Sequence, residues 1–388
     1  MLTKLDDTLF HQAPTTFDHA VTSDHRFYDR YWFQAIEPGG ATSLVAGMGL
    51  YKNTNVLDGF CTVVHEGKQY CLRVSRALRP AVDVTSVGTF SVDVIEGLRQ
   101  LRIALEPGRH PIACDLVWTG TYDAIEEPPM WRRLDGRVQT QGVRLYQLGR
   151  ADGWIEIDGV RRDVDDWYGS RDHSWGVRPG TGGYEPVTGA RREAQAEFLR
   201  TFLFFNTHKV GGVIDITQGA GGFQRSFGTV QWPSGSGPPP ARVTRAELDI
   251  SYHDGMSPAD TISLGIERAS FDVVTASGDT LRVDCEVVSP AWVLKATGYD
   301  MGYHDGLGLG AYRGELVEEF EVLDVSAPDA VTVLPDRAPY PHPHREHDVT
   351  ITVDGEPGEG HLTVWCDFTD DVEAHLWTSD DAPDPSAR

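Results

Sequence analysis

The sequence predicts an all-β protein made of two related β-barrel or β-sandwich domains, the second a diverged copy of the first. Short runs rich in Val, Ile, Thr and aromatic residues alternate with Gly, Asp and Pro turns along most of the 388 residues, and few windows carry an apolar stripe of helical period. That length exceeds what one hydrophobic core usually organises, so two domains are expected. Short stretches of the first half also recur, in order, in the second.

Taken along the chain, residues 1–24 form an N-terminal extension. The start Met1-Leu2-Thr3-Lys4-Leu5-Asp6-Asp7 has no basic stretch followed by an apolar one, and no later run reaches the roughly 18 apolar residues of a spanning helix. A cytoplasmic protein without a membrane span is expected. The first domain, 25–185, contains Phe60-Cys61-Thr62-Val63-Val64 and Gln69-Tyr70-Cys71-Leu72-Arg73-Val74, a hairpin turning at Gly67. In Trp154-Ile155-Glu156-Ile157-Asp158-Gly159-Val160, strand alternation runs into an Asp-Gly turn signal. The clearest helical window, 191–198, links the halves. The second domain, 186–372, is interrupted by Trp232-Pro233-Ser234-Gly235-Ser236-Gly237-Pro238-Pro239-Pro240, an exposed loop because prolines lack the ladder donor. Residues 373–388 are a flexible tail, and both chain ends are expected to fray.

Five matches carry the duplication. Asn53-Thr54-Asn55-Val56 recurs as Asn206-Thr207-His208-Lys209-Val210, and Ser91 to Val94 with Leu101 to Ile103 recurs as Ser270 to Val273 with Leu281 to Val283. Cys114-Asp115-Leu116-Val117 recurs as Cys285-Glu286-Val287-Val288, and Thr119-Gly120-Thr121-Tyr122-Asp123 as Thr297-Gly298-Tyr299-Asp300. Finally, Ile155-Glu156-Ile157-Asp158-Gly159 recurs as Ile351-Thr352-Val353-Asp354-Gly355.

Charge and composition exclude several function classes. Acidic residues outnumber basic ones 58 to 34, a net −24 that repels nucleic-acid phosphates and anionic membranes. The five cysteines are scattered without CxxC spacing, which favours buried reduced thiols over disulfides or zinc. No GxSxG, P-loop or HExxH motif is present. Gly306-Leu307-Gly308-Leu309-Gly310 reads as a kinked strand rather than a dinucleotide loop. His342, His344 and His347 are candidate metal ligands, but the prolines among them favour a solvated surface loop. No metal and no cofactor is expected.

The most distinctive stretch is Trp167-Tyr168-Gly169-Ser170-Arg171-Asp172-His173-Ser174-Trp175-Gly176-Val177-Arg178-Pro179. On a strand, side chains alternate, so Arg171, His173 and Trp175 share one face and Asp172 and Ser174 the other. A neutral imidazole beside an indole suits proton transfer next to a cationic, hydrocarbon-like intermediate. A second polar-aromatic cluster, Tyr299, Asp300, Tyr303, His304 and Asp305, is a candidate to complete the pocket.

Asp172-His173-Ser174-Trp175-Gly176 resembles the Asp-His-x-Trp-Gly signature of the carotenoid 1,2-hydratase (hydroxyneurosporene synthase) or AttH-like superfamily. Gly47-Met48-Gly49-Leu50-Tyr51 ahead of Asp58-Gly59-Phe60, and Tyr312-Arg313-Gly314-Glu315 ahead of Glu318-Glu319-Phe320, support the match. The resemblance spans about 27–368. It implies two tandem lipocalin-like barrels and a cofactor-free lyase or isomerase (hydratase, dehydratase or cyclase). The substrate it implies is a hydrophobic isoprenoid- or polyketide-like molecule held at the junction of the barrels.

The resemblance carries the family's His and Trp over to His173 and Trp175. The residues themselves leave His173 or Asp172 as the acid, with Trp175, Tyr168 or Trp167 as the π-face. Tyr168, Trp167, Arg171, Tyr299, Tyr303, His304 and Asp305 are the expected substrate-binding residues. Two bland alternatives stand beside this: the motif packs a joint between domains, with Asp172 paired to Arg171 or Arg178, or the protein carries an apolar ligand without transforming it.

Overall fold

The structure is a computed structural model that describes residues 1–134, 136–183, 198–219, 223–253, 265–288, 291–299, 301–328, 330–340 and 344–367. The first half lays down β1 (Phe27–Ile36), β2 (Thr42–Tyr51), β3 (Val56–His65), β4 (Lys68–Ala77), β5 (Ser86–Val87), β6 (Phe90–Glu96) and β7 (Gln100–Leu105). It continues with β8 (Ile112–Gly120), β9 (Ile125–Glu126), β10 (Met130–Leu134), β11 (Arg137–Ile157) and β12 (Val160–Val177). The second half holds β13 (Phe198–Thr207), β14 (Gly211–Gly219), β15 (Phe223–Gln231), β16 (Ala241–Tyr252), β17 (Ile266–Thr275) and β18 (Thr280–Val287). There follow β19 (Trp292–Val293), β20 (Leu316–Asp324), β21 (Thr332–Val333), β22 (Ala338–Pro339), β23 (Arg345–Val353) and β24 (Glu356–Asp367). The all-β expectation holds. Among the described residues no helix is long and apolar enough to cross a membrane.

In the second half, β18-β17-β16-β15-β14-β13-β24-β23 form one sheet, and β18 also pairs β23, which closes the ring into a barrel. The first half curls β4-β3-β2-β1-β12-β11-β8-β7-β6-β5 around a single core that brings Leu57 and Leu72 to Val87 and Phe90. Between its two ends no ladder forms. Arg76 bridges the gap instead, its Nε donating to Ser86 O at 2.8 Å. The outer edge of β4 is taken by β20, so a strand from the span read as the second domain belongs to the first sheet.

The duplication is visible in the register. Cys114 stands opposite Ile155 across β8 and β11, and Cys285 stands opposite Ile351 across β18 and β23. Both pairs lead into the same hairpin turn, with Asp158 and Gly159 at φ 51° and 78° and Asp354 and Gly355 at 48° and 87°. Positive φ at both central residues is what a tight hairpin with native twist requires. The match of Ser91 to Val94 with Ser270 to Val273 falls on β6 and β17, which are not equivalent by pairing.

The two barrels pack outer face to outer face. Tyr146 and Leu148 of β11 meet Phe202 and Phe204 of β13, and Trp32 stacks on Trp292 at 6.0 Å. Two hydrogen bonds cross this joint: Tyr122 Oη donates to Thr207 O at 2.8 Å and Gln34 Nε2 to Asp348 Oδ1 at 2.7 Å.

Four expectations need correction or placement. The helical window 191–198 lies essentially outside the described residues, as do His342 and the tail 373–388. Residues 306–310 are not a strand: all three glycines sit at φ of 71–74°, a loop that only glycine adopts readily. The N-terminal extension is anchored to the first barrel at Asp18, which is buried and accepts from Arg79 Nε at 2.8 Å. His344 and His347 do not share a surface site, since His344 bonds Glu346 at 3.0 Å while His347 is buried at the start of β23. The thiols of Cys61, Cys71, Cys114 and Cys285 are buried and free, as expected.

Candidate active site at the mouth of the first barrel

Strand β12 lies between β1 and β11, and its register decides what each side chain of the motif meets. His173 pairs with Tyr31 and Leu145, and Asp172 pairs with Trp32 and Tyr146. Cross-strand partners point to the same side of a sheet. Phe33, Ala46, Met48 and Trp118 belong to the first core, so Arg171, His173 and Trp175 face the interior of the first barrel. Asp172, Ser174 and Tyr168 face outward, towards the second half. The motif is therefore split between two environments, and His173 and Trp175 do not point into the junction of the barrels.

On the inner face, His173 Nε2 lies 2.7 Å from Asp29 Oδ1 on β1. Its ring stands between Tyr31, at 4.5 Å, and Trp175, at 4.9 Å between centroids. The side chains of His173 and Asp29 are 24% and 49% exposed, which places the pair at the rim, within reach of solvent and solutes. A pair this exposed contributes about 0–1 kcal/mol to stability, too little to account for it as a structural device. Asp29 must accept, so Nε2 carries the hydrogen, and Nδ1 makes no hydrogen bond among the described residues.

One step deeper along β12, Arg171 is buried. Its Nε and Nη2 donate to Gln147 Oε1 at 3.0 and 2.7 Å, and the guanidinium lies 5.2 Å over Trp118. The Gln147 amide is fixed in turn, its Nε2 donating to Leu98 O and Tyr122 O at 2.8 and 2.9 Å. Trp167 is buried in the first core.

The outer face carries a denser set of charges. Burial raises the pKa of Asp172, against the pull of Arg144, Arg30 and Arg178. Arg30 is buried; its Nη2 donates to Tyr299 Oη, and its guanidinium lies 4.5 Å over the same ring. Glycines on β2 make room here. A side chain at Gly49 would stand 2.5 Å from Tyr51 Oη and 2.8 Å from Arg30 Cγ, and one at Gly47 would stand 2.5 Å from the Phe60 ring. Asp58 accepts from Gly310 N at 2.6 Å, and burial pushes its carboxyl up to about 6. Tyr168 is also buried on this face.

The second-half cluster is divided too. Tyr299 joins Arg30, Trp32 and Asp172. Tyr303 instead donates to Val74 O at 3.1 Å, beneath the Arg313 guanidinium at 3.6 Å. His304 and Asp305 are held by Glu319 and Arg313, away from the motif, and Asp300 lies outside the described residues. Among the described residues no group of His, Cys, Asp and Glu is placed to hold a metal ion. Sequence reasoning missed Asp29, Tyr31 and Gln147. Asp29 and Tyr31 do alternate onto one face of Phe27–Ile36, but nothing local says that this face adjoins His173.

The sequence profile of a family of unknown function (DUF8625) matches residues 2–334. The chain belongs to this family. No curated protein matches it in sequence. Among solved structures, a putative AttH from Nitrosomonas europaea is similar with a TM-score of 0.51 at 11% identity, over 87% of this chain and 92% of that one. Kievitone hydratase from Nectria haematococca aligns over 88% and 89% of the two chains at 10% identity with a TM-score of 0.43. CghA with Sch210972 aligns over 88% of both at 10% identity with a TM-score of 0.46. The AttH likeness is one of fold, and at that level the resemblance read from the DUF8625 sequence holds. The other two are too distant to carry an argument.

Proposed function

We propose that this chain is a lyase or isomerase that works by proton transfer on a hydrophobic, isoprenoid- or polyketide-like small molecule drawn into the mouth of the first barrel. The observation that carries the reading is the Asp29–His173 pair, held at the rim between two aromatic rings. Asp29 stabilises the imidazolium, and His173 Nδ1 is the position that gives a proton to an alkene carbon. Tyr31 and Trp175 present π-faces to the carbocation that results, worth about 2 kcal/mol once desolvated.

Water then adds to the cation and returns a proton to Nδ1, which makes the cycle a hydration; run backwards it is a dehydration. Capture by an internal alkene or enol, followed by proton loss, gives cyclisation. The pair supplies this chemistry without a redox cofactor. A carrier reading draws support from the apolar interior of the same barrel, and one experiment separates the two. A panel of terpenoid, steroid and polyketide alkenes is incubated with the wild type and with His173→Ala, and products are followed by mass spectrometry. A product gaining one water, or an isomer of new retention time, should appear with the wild type and fall about 10²- to 10⁴-fold with His173→Ala. Equal ligand capture by both proteins with no product from either favours the carrier.

A further inference from the structure

Burying a guanidinium without an acid to neutralise it is costly, and the first barrel does so at Arg171. No carboxylate among the described residues pairs with it; the titratable groups that act on it are the Tyr31 phenol, which burial keeps protonated, and, from the other side of the strand, Asp172. Burial lowers its pKa to about 10, which still leaves it charged at neutral pH. Of its five N–H donors, Gln147 Oε1 takes two. A second donor nearby is also unused: the Trp118 indole, under the same guanidinium, is fully buried and its Nε1 makes no hydrogen bond. A guanidinium with a single amide oxygen as its acceptor and an indole N–H with none therefore sit inside an apolar barrel, directly below the Asp29–His173 rim.

We infer that Arg171 is an anchor for an anionic oxygen of the ligand, a carboxylate or an enolate, with Trp118 Nε1–H as an auxiliary donor. Residues two apart on a strand are about 7 Å apart, so an anion held at Arg171 places carbons a few bonds away beside His173. The ligand class is thus an apolar skeleton with one acidic terminus, rather than a pure hydrocarbon. The net charge of −24 does not oppose this, because ionic screening limits long-range repulsion to about 8 Å at physiological salt, and the guanidinium is the nearest charge. Arg171 also explains why Gln147 is clamped by two carbonyls: its oxygen is kept turned towards the guanidinium, which fixes the fork.

The inference rests on the proposed reading only in calling the ligand a substrate, so its test uses binding and not turnover. Decanoic acid, decan-1-ol and methyl decanoate are titrated at pH 7.5 against the wild-type protein, Arg171→Met and His173→Ala, with calorimetry or tryptophan fluorescence as the readout. The wild type should bind the acid about tenfold to a hundredfold more tightly than the alcohol or ester. His173→Ala should keep that preference, and Arg171→Met should abolish it. The melting temperature of Arg171→Met should be unchanged or raised, since a buried unpaired charge has been removed. Equal binding of the three probes by the wild type overturns the inference, as does binding of none. A preference that survives in Arg171→Met overturns it too. A strong drop in melting temperature with the preference intact identifies Arg171 as a structural residue.

Discussion

Asp58 and His347 are buried titratable groups whose shifts run in opposite directions, and the molecule's response to mild acid depends on both. Asp58 has a folded pKa of about 6, above its ordinary 3.8, so its contribution is fully present below 3.8 and is lost as pH rises through 6. For His347, burial lowers the folded value to about 4 from 6.5, so its contribution is present above 6.5 and is lost as pH falls through 4. Each is worth about 3 kcal/mol at full extent, and between pH 4 and 6 they offset one another. Asp58→Asn should therefore make stability fall steeply from pH 6.5 to 4, and His347→Leu should make it rise over the same range. Urea midpoints at several pH values read this directly, and slopes equal to wild type in both variants would refute it. At this scale the alternation of Arg171, His173 and Trp175 against Asp172 was legible from spacing alone. The partner Asp29 was not, because it lies 144 residues away and reaches His173 only through strand pairing.

At the scale of elements, glycines set how closely rings approach the first sheet. Phe60 fills the space over Gly47, packed between Trp32 at 5.4 Å and Tyr299 at 6.2 Å, and cannot step aside. Gly47→Ala should cost about 1–3 kcal/mol by overpacking, measured by chemical denaturation. Gly97→Ala, where nothing lies within 4 Å, is the control and should be close to neutral. The hairpins that turn at Gly67 and Gly159 were readable because the turn chemistry is local: Glu66 and Asp158 both adopt positive φ. The stretch 306–310 misled for the same reason, since alternate glycines fit a strand as well as a series of left-handed turns. The positive φ of all three glycines distinguishes them.

The whole molecule is tied together by β20, which returns from the second half to cover β4. Arg73 is buried there between Glu319, at 3.3 Å, and Glu321, at 2.7 Å. A fragment of residues 1–183 loses both carboxylates and the Ala296 carbonyl that hold Arg73, and it leaves the β4 edge open to pairing with another chain. The fragment should associate or unfold, as judged by light scattering and circular dichroism; a monomer with cooperative unfolding would contradict this. Two barrels and their duplication were legible because hydrophobic alternation and turns repeat along the chain. The exchange of β20 was not, because sequence order carries no signal for pairing across some 240 residues.

The same separation of faces gives the most direct test of the central claim, that His173 and not Asp172 exchanges the working proton. Turnover of an accepted alkene in deuterated water is compared for wild type, His173→Ala and Asp172→Asn, with deuterium at carbon read by mass spectrometry. The account predicts that the wild type and Asp172→Asn incorporate deuterium and His173→Ala does not. Loss of incorporation in Asp172→Asn, with His173→Ala still active, would contradict it and move the chemistry to the outer face of the sheet.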